Sequence, residues 1–146
     1  MEERYKSRIG VDLLLERENQ DTNKKELLLM LRQNTGYFDG FYDLPGGHLD
    51  PNEDIFDAMI REAKEEIGID IERNDLKIVH INHRFKKGML KFVFKVDKYK
   101  NDVTNGEPDI CKELKWVAID DLPENIIEHI KKEIILTYDG IDYSKD

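Results

Sequence analysis

Residues 61–68 read REAKEEIG, and this segment constrains the fold more than any other part of the chain. Apolar residues at helical spacing precede and enter it, and they predict a helix with one buried stripe: Phe56, Met59, Ile60, Ala63 and Ile67. Within the same helix, Glu62 stands three and four positions before Glu65 and Glu66, so the three carboxylates are surface neighbours. Like charges at these spacings destabilise a helix by about 0.2–0.5 kcal/mol per pair. The three carboxylates therefore destabilise the helix, which suggests that they have a chemical function.

The ends of this helix have their own signals. Pro51 lies near the predicted start, with Asp50 and Asn52 as candidate N-caps. Gly68 is placed to end the helix. The glutamates lie beside the apolar stripe, not opposite it. The helix can therefore pack against a core and still present its carboxylates at the edge of a cleft.

Length and charge limit the class of protein. The 146 residues predict one domain over residues 1–146, and the net charge of −9 argues against an extended nucleic-acid surface. A polyanionic ligand would need a cation between itself and this acidic chain, which points to a metal. Cys111 is the only cysteine, so no intrachain disulfide can form. No apolar run is long enough to span a bilayer, and the first residues lack a signal-peptide pattern, so we expect a cytoplasmic protein without a membrane partner.

The remaining pattern predicts layered α/β structure. Strands are expected over residues 9–16, 25–32, 76–82, 90–99 and 114–119, with a second helix over 122–138 that begins at Pro123. The polar connection NQDTNKK predicts a hairpin between the first two strands, and residues 33–50 predict a long structured loop. This order of strands and helices indicates an α/β domain with a mixed sheet.

The loop and the helix together carry a fixed spacing. Gly47 is followed after five residues by Glu53 and after seven more by Arg61, and the run EAKEEIGI continues without a gap. Residues 47–69 thereby resemble the signature of the Nudix hydrolase family, with Ala63 smaller than the usual aliphatic residue. The segments GYFDGFYDLPGGH and EPDICKELKWVAIDDLP resemble the flanking regions of a MutT-like group. The resemblance implies the Nudix fold, an α/β/α sandwich with a mixed β-sheet.

The resemblance also implies a chemistry. Hard divalent cations take oxygen ligands, so Mg²⁺ or Mn²⁺ would relieve the repulsion among Glu62, Glu65 and Glu66, and the family pattern adds the backbone carbonyl of Gly46 as a metal ligand. Such a metal polarises phosphorus and activates water, which then attacks a diphosphate bond. The alternative for the glutamates alone is a solvated helix face.

Catalytic roles are assigned by the same resemblance. Glu62 or Glu65 accepts the proton or orients the water. Arg61 orients a carboxylate through Glu65 or Asp57, which lie four residues away on either side. Glu53 is expected to make a structural contact.

One further acidic residue is expected from the downstream segment. Glu113, just before Trp116, is the predicted extra metal ligand or base, and Glu107 is the competing choice.

Four residues are expected to bind substrate: Asn34, Tyr37, Asp39 and His48. Each has a structural alternative, since loop aromatics can hold a loop in place and a loop histidine can bond to backbone. Arg84, Lys86 and Lys87 either meet phosphate or form a solvated hairpin.

We expect the substrate to be a nucleoside diphosphate joined to another group, first a nucleoside triphosphate and next a nucleotide sugar. The alternative is a non-catalytic module that senses a nucleotide or binds a partner. The sequence leaves a homodimer open.

Overall fold

The computed structural model describes residues 2–146, which form nine strands and two helices. The strands are β1 (Arg8–Leu14), β2 (Glu16–Glu18), β3 (Lys25–Arg32), β4 (Tyr42–Asp43), β5 (Gly46–His48), β6 (Leu76–Arg84), β7 (Met89–Val96), β8 (Cys111–Ala118) and β9 (Tyr143–Lys145). The helices are α1 (Ile55–Ile67) and α2 (Glu128–Tyr138).

The strands form two sheets. The mixed sheet has the order β5-β1-β7-β6-β9, in which β1 is parallel to β7 and β6 is parallel to β9. The second sheet is antiparallel: β3 pairs with β2, β4 and β8. The predicted mixed sheet is confirmed. The second sheet was not predicted, because the first predicted strand divides after Leu14, and only its second part, β2, forms the expected hairpin with β3.

Helix α1 begins later than predicted. Its N-cap is Asp54, whose carboxylate accepts a hydrogen bond from the backbone N–H of Asp57 at 2.8 Å. The Asp57 side chain returns a bond to the Asp54 N–H, which completes a capping box. The predicted start at Pro51, with Asp50 or Asn52 as cap, is therefore wrong. Gly68 ends the helix in the left-handed conformation, φ 74°, as predicted.

The apolar stripe of α1 packs on one face of the mixed sheet. Met59, Ala63 and Ile67 are fully buried there, against residues of β1 and β7 such as Leu13 and Phe94. Burying a Met or Ile side chain contributes about 1.5–3 kcal/mol. This exceeds the repulsion between neighbouring glutamates, so packing keeps α1 helical in spite of its charges.

Helix α2 packs on the opposite face of the mixed sheet, and the second sheet contributes residues to both buried clusters. Ile130 and Ile134 of α2 pack with Leu14 and Val93 of the mixed sheet in a separate buried cluster. Helix α2 begins at Glu128 instead of Pro123, because residues before it pair with Tyr42 instead of forming a helical turn: the Tyr42 N–H donates to the Asn125 carbonyl at 2.8 Å.

None of the helices in residues 2–146 combines the length and apolar character needed to cross a membrane.

Candidate active site

The three glutamates occupy the last turns of α1, beside the edge strand β5. The backbone N–H of Gly46 donates a hydrogen bond to Glu66 at 2.9 Å. At Gly46, an added Cβ would stand 2.0 Å from the backbone carbonyl oxygen of Val11, so only glycine fits there, and at Gly47 it would meet the carboxylate of Glu62 at 2.4 Å. The double glycine therefore positions β5 directly against the carboxylates. We refer to Glu62, Glu65 and Glu66 as the carboxylate cluster.

Burial and mutual repulsion perturb this cluster. Glu66 is only 8% exposed, and burial, followed by the charge of Glu62, raises its pKa well above the ordinary range. Burial also raises the pKa of Glu62, although Arg61 opposes that shift. Glu65 is exposed. The negatively charged forms of Glu62 and Glu66 are thus unfavourable in the folded protein, and a bound cation would offset that cost.

Arg61 holds the cluster in place. Its guanidinium donates to Glu53 at 2.7 Å, to Glu62 at 2.8 Å and to Glu65 at 3.4 Å. It also donates to the backbone carbonyl of His48 at 3.0 Å. The hydrogen bond that Arg61 donates to Glu53 is the largest influence raising the pKa of Arg61 and keeps its charge fixed. Arg61 therefore ties α1 to β5 and orients two of the three glutamates.

Asp57 does not join this set. The sequence allowed an Arg61–Asp57 pair, but Asp57 instead accepts a hydrogen bond from Arg73 at 2.8 Å, and Arg73 also pairs with Asp54 at 2.8 Å. Arg73 draws Asp57 to the start of the helix, away from the cluster.

The structure places the two downstream candidates, Glu113 and Glu107, in different surroundings. Glu113 is exposed on β8 and accepts a hydrogen bond from the hydroxyl of Tyr42. Glu107 lies close enough to the cluster that burial, and then the charges of Glu62 and Glu65, raise its pKa.

Gly106 explains why this loop comes so close to α1. Its N–H donates to the carbonyl of Glu66 at 2.9 Å, and a Cβ at Gly106 would stand 2.1 Å from the carbonyl of Glu65. A close approach that only glycine permits therefore carries Glu107 to the helix.

Oxygen donors dominate this part of the chain, which is the chemistry of a hard divalent cation. Across residues 2–146, no group of three His, Cys, Asp or Glu side chains stands already assembled at metal-binding spacing. Arg61 and the Gly46 N–H hold Glu62 and Glu66 instead. The donor set fits Mg²⁺ or Mn²⁺, provided that these contacts are exchanged on binding.

A cleft of about 700 Å³ opens beside the cluster, on the face of the mixed sheet opposite α1. Gly46, Gly47 and Glu66 line one end of it. Tyr37 and Phe38 enter from the loop after β3, and their rings pack edge to face at 4.7 Å. A cleft of this size is large enough for a nucleotide-sized molecule.

Two charged residues, Asp12 and Lys91, line the floor of the cleft, and a third, Glu133, is fully buried beside Lys91. Lys91 of β7 pairs with Asp12 of β1 at 2.6 Å and with Glu133 of α2 at 3.3 Å. Burial alone would lower the pKa of Lys91, but the charges of Asp12 and Glu133 raise it overall. Burial and the charge of Glu133 raise the pKa of Asp12. We call Asp12, Lys91 and Glu133 the charged floor.

The charged floor was not predicted. The available signal was a single charged residue inside an apolar strand, Asp12 in VDLLL and Lys91 in LKFVF. Buried charges in strands require partners, so the pair was open to prediction once the register was known.

The predicted substrate residues divide into two groups. Tyr37 and His48 line the cleft. Asn34 and Asp39 do not: Asn34 donates to the Asp109 carbonyl at 3.0 Å, and Asp39 accepts the backbone N–H of Gly36 at 2.8 Å. For Asn34 and Asp39 the structural alternative holds, because their polar groups are used to shape the loop.

His129 reaches the same cleft from α2. Its ring lies 6.4 Å from the ring of Phe38, centroid to centroid. Burial, followed by the charges of Lys91 and Arg84, lowers the pKa of His129 to about 3. The imidazole is therefore neutral at physiological pH, which the sequence did not indicate.

Comparisons with known proteins agree with this architecture. A family model for the NUDIX domain matches residues 6–138. An ADP-ribose pyrophosphatase of Methanocaldococcus jannaschii is 27% identical over 125 residues, which cover 84% of this chain and 69% of that protein. An 8-oxo-dGTP diphosphatase of Proteus vulgaris is 38% identical over 66 residues, or 44% of this chain and 58% of that protein.

Among solved structures, a MutT NUDIX hydrolase from Burkholderia pseudomallei superposes with a TM-score of 0.74 at 25% identity, covering 88% of this chain and 95% of that chain. A MutT protein from Methanosarcina mazei Go1 gives a TM-score of 0.74 at 24% identity, covering 94% and 97%. The family match spans most of the sequence and includes the carboxylate cluster, the double glycine and Arg61. The chain therefore belongs to the Nudix hydrolase family.

Proposed function

We propose that this chain is a divalent-metal-dependent pyrophosphohydrolase that cleaves the diphosphate bond of a nucleoside diphosphate joined to another group. The observation that carries this proposal is the packing of half-buried Glu62 and buried Glu66 against the Gly46–Gly47 backbone, where Glu66 and both glycines line a nucleotide-sized cleft. The raised pKa values of both carboxylates support a site that gains free energy when a cation binds.

Glu62, Glu65, Glu66 and the backbone carbonyl of Gly46 would hold the metal. A bound Mg²⁺ or Mn²⁺ supplies charge neutralisation at the phosphate oxygens and a lower pKa for water. Family members generally use divalent metals, and the oxygen-only donor set favours Mg²⁺ or Mn²⁺ over softer ions.

The chain's own side chains then position the reaction. Arg61 fixes Glu62 and Glu65 through hydrogen bonds at 2.8 and 3.4 Å, so either carboxylate can accept the proton of the attacking water. Glu107 is a further acidic residue at the site, in place of Glu113. Tyr37 and His48 lie where they can contact the nucleoside or its phosphates.

The relatives suggest where a substrate search should begin. ADP-ribose and 8-oxo-dGTP appear in the names of two similar enzymes, and a nucleotide sugar adds a third leaving group. These compounds with Mg²⁺ or Mn²⁺ form the test panel. Phosphate, pyrophosphate and nucleotide release are measured for the wild type, Glu65→Gln and Glu66→Gln.

A matched pair of variants tests which of the two downstream glutamates contributes to catalysis. Glu107→Gln should lower kcat, whereas Glu113→Gln should leave it unchanged, because Glu113 is bound to Tyr42 away from the cluster. Full activity in both Glu65→Gln and Glu66→Gln would eliminate the proposed centre. Absence of turnover across the panel would favour a non-catalytic nucleotide-binding module.

A further inference from the structure

Three cationic residues gather at the end of the cleft away from the carboxylate cluster. Arg8 begins β1, Arg84 ends β6 and Lys87 lies in the turn between β6 and β7, and all three line the cleft. The Arg8 guanidinium donates to the backbone carbonyl of Lys87 at 2.8 Å, which holds Arg8 against the turn. Arg8 and Arg84 are both register partners of Met89 and thus flank it. We call Arg8, Arg84 and Lys87 the cationic end.

The positive charge of the cationic end is only partly compensated. Within residues 2–146, Arg8 and Lys87 form no ion pair. Arg84, only 16% exposed at its side chain, forms an ion pair with Asp146 at 3.6 Å, but its buried Nε has no hydrogen-bond partner. A largely buried guanidinium without full hydrogen bonding is costly unless a ligand completes it.

The acidic residues of the cleft do not supply that compensation. Asp12 is bound to Lys91 at 2.6 Å, and Asp43 is bound to Arg32 at 3.1 Å. Glu66 belongs to the carboxylate cluster and accepts the Gly46 N–H. A cluster of three cations also contrasts with a chain whose net charge is −9. The charge is therefore local and faces the cleft.

The register places the cationic end well away from the proposed metal site. Asp12 pairs with Gly46, and Arg8 lies four residues before Asp12 on β1, a distance of about 13 Å along the strand. Three interstrand steps separate β5 from β6, which adds about 14 Å across the sheet for Arg84. The Cα separations from Gly46 are thus about 14 Å for Arg8 and about 19 Å for Arg84. Adjacent phosphates of one diphosphate cannot span this gap, whereas a nucleoside with a second phosphate can.

We propose that the preferred substrate carries, in addition to its diphosphate, a second phosphate monoester that is bound by Arg8, Arg84 and Lys87. This inference rests on the proposed function and narrows its substrate class. Guanidinium groups bind phosphate through paired N–H donors, and a lysine adds a point charge. The substrate is thereby a nucleoside diphosphate derivative that is phosphorylated on its sugar or on its leaving group.

Compounds that differ by a single phosphate test this directly. Suitable pairs are 2′-phospho-ADP-ribose with ADP-ribose, NADPH with NADH, and coenzyme A with dephospho-coenzyme A. For at least one pair, the wild type should show kcat/KM at least about tenfold higher on the phosphorylated member, mainly through a lower KM. Equal kcat/KM in every cleaved pair would overturn the inference while leaving the proposed function intact.

Variants test whether the residues of the cationic end cause the preference for the phosphorylated member. Lys87→Gln and Arg8→Gln replace exposed side chains, and each should reduce the preference severalfold by raising the KM of the phosphorylated member. Arg84→Gln should reduce it most. Lys86→Gln is the matched control, since Lys86 belongs to the same turn but does not line the cleft. A preference that survives in Lys87→Gln, Arg8→Gln and Arg84→Gln would assign the phosphate contact elsewhere and overturn the inference.

Binding of products separates this inference from catalysis. Calorimetry should show adenosine 2′,5′- or 3′,5′-bisphosphate binding at least about tenfold more tightly than AMP, with the difference reduced in Lys87→Gln. Equal binding of both bisphosphates and AMP would overturn the inference even if no substrate is cleaved.

Added inorganic phosphate distinguishes a substrate phosphate from a free anion. Inorganic phosphate should inhibit cleavage of the phosphorylated member competitively and leave cleavage of the unphosphorylated member unchanged. If inorganic phosphate instead changes the rate on both members equally, the cationic end is an effector site and the inference is wrong.

Discussion

The carboxylate cluster and the charged floor both hold buried charged residues, Glu66 in the cluster and all three residues in the floor, but they are built in opposite ways. The cluster brings Glu62, Glu65 and Glu66 together with one shared cation, Arg61, which is itself bound to Glu53. In the floor, Lys91 is inserted between two carboxylates at 2.6 and 3.3 Å. Burial raises the pKa of Glu66 well above its ordinary range, whereas the floor's carboxylates raise the pKa of Lys91 and keep it charged.

This difference indicates that the carboxylate cluster serves to bind a ligand, whereas the charged floor serves to stabilise the fold. Opposite charges in a dry environment compensate part of their desolvation cost, so the floor can join β1, β7 and α2. Like charges add repulsion to that cost, and folding alone gives no reason to retain them. The comparison therefore predicts that neutralising the cluster lowers activity without lowering stability, and that neutralising Lys91 in the floor lowers stability.

The largest effect is expected for Glu66→Gln. The amide keeps its acceptor for the Gly46 N–H but removes a negative charge from the cluster, so kcat should fall about 1,000-fold. The free energy of unfolding should stay equal or increase, because the repulsion with Glu62 is removed. Steady-state kinetics and urea denaturation of the same preparation measure both quantities.

The control for this variant is Glu72→Gln, which neutralises an exposed glutamate beyond the end of α1. It should change neither quantity. A clear loss of stability in Glu66→Gln would mean that the cluster is architectural, and the comparison would fail.

The floor should respond in the opposite way. Lys91→Met leaves Asp12 and Glu133 buried without their cation, and the free energy of unfolding should fall by about 3–5 kcal/mol. Lys77→Met, which changes an exposed lysine of β6, is the control. Urea denaturation at neutral pH is the measurement. A loss no greater than that of the control would show that the floor contributes no net stabilisation.

Arg61 links the cluster to β5, and its planar fork reaches several acceptors at once. Arg61→Lys keeps the charge but cannot bind Glu53 and Glu62 in the same geometry, so kcat should fall about tenfold while metal binding persists. Kinetics as a function of Mg²⁺ concentration separate the two effects. Unchanged kcat at saturating Mg²⁺ would remove Arg61 from the positioning role.

The smallest effect concerns His129 and pH. Its pKa is about 3 in the folded protein, lowered from an ordinary 6.5, so the neutral ring contributes stability that is present above pH 6.5 and is lost as the pH falls towards 3. Allowing for the partial exposure of His129, the free energy of unfolding of the wild type should fall by roughly 1 kcal/mol by about pH 5. His129→Gln should not show this fall. Parallel pH profiles of the two proteins in urea denaturation would contradict the assignment.

Local patterns were sufficient to predict the cluster. The stripe through Met59, Ala63 and Ile67 fixed the buried face of α1, and the carboxylates follow from that face by helical geometry. The double glycine was recognisable for the same reason, because its spacing to the helix is fixed within the sequence. The mixed sheet also followed from the order of strands and helices.

The floor depends on tertiary register, which the sequence does not display. Asp12, Lys91 and Glu133 come from three distant elements and meet only because β1 pairs with β7 beneath α2. The choice between Glu107 and Glu113 similarly depends on the close approach that Gly106 allows. The start of α1 was misplaced because several acidic residues precede it and only the hydrogen bonds of Asp54 distinguish the true cap.

Calorimetry of Mn²⁺ and Mg²⁺ binding, in the presence of a non-hydrolysable α,β-methylene analogue of ADP, measures directly whether the carboxylate cluster takes up a metal. The wild type should bind the metal together with the analogue, and Glu66→Gln should lose this binding while remaining folded. Failure of the wild type to take up either metal, or equal uptake by Glu66→Gln, would contradict the claim that the carboxylate cluster binds a divalent cation against a diphosphate.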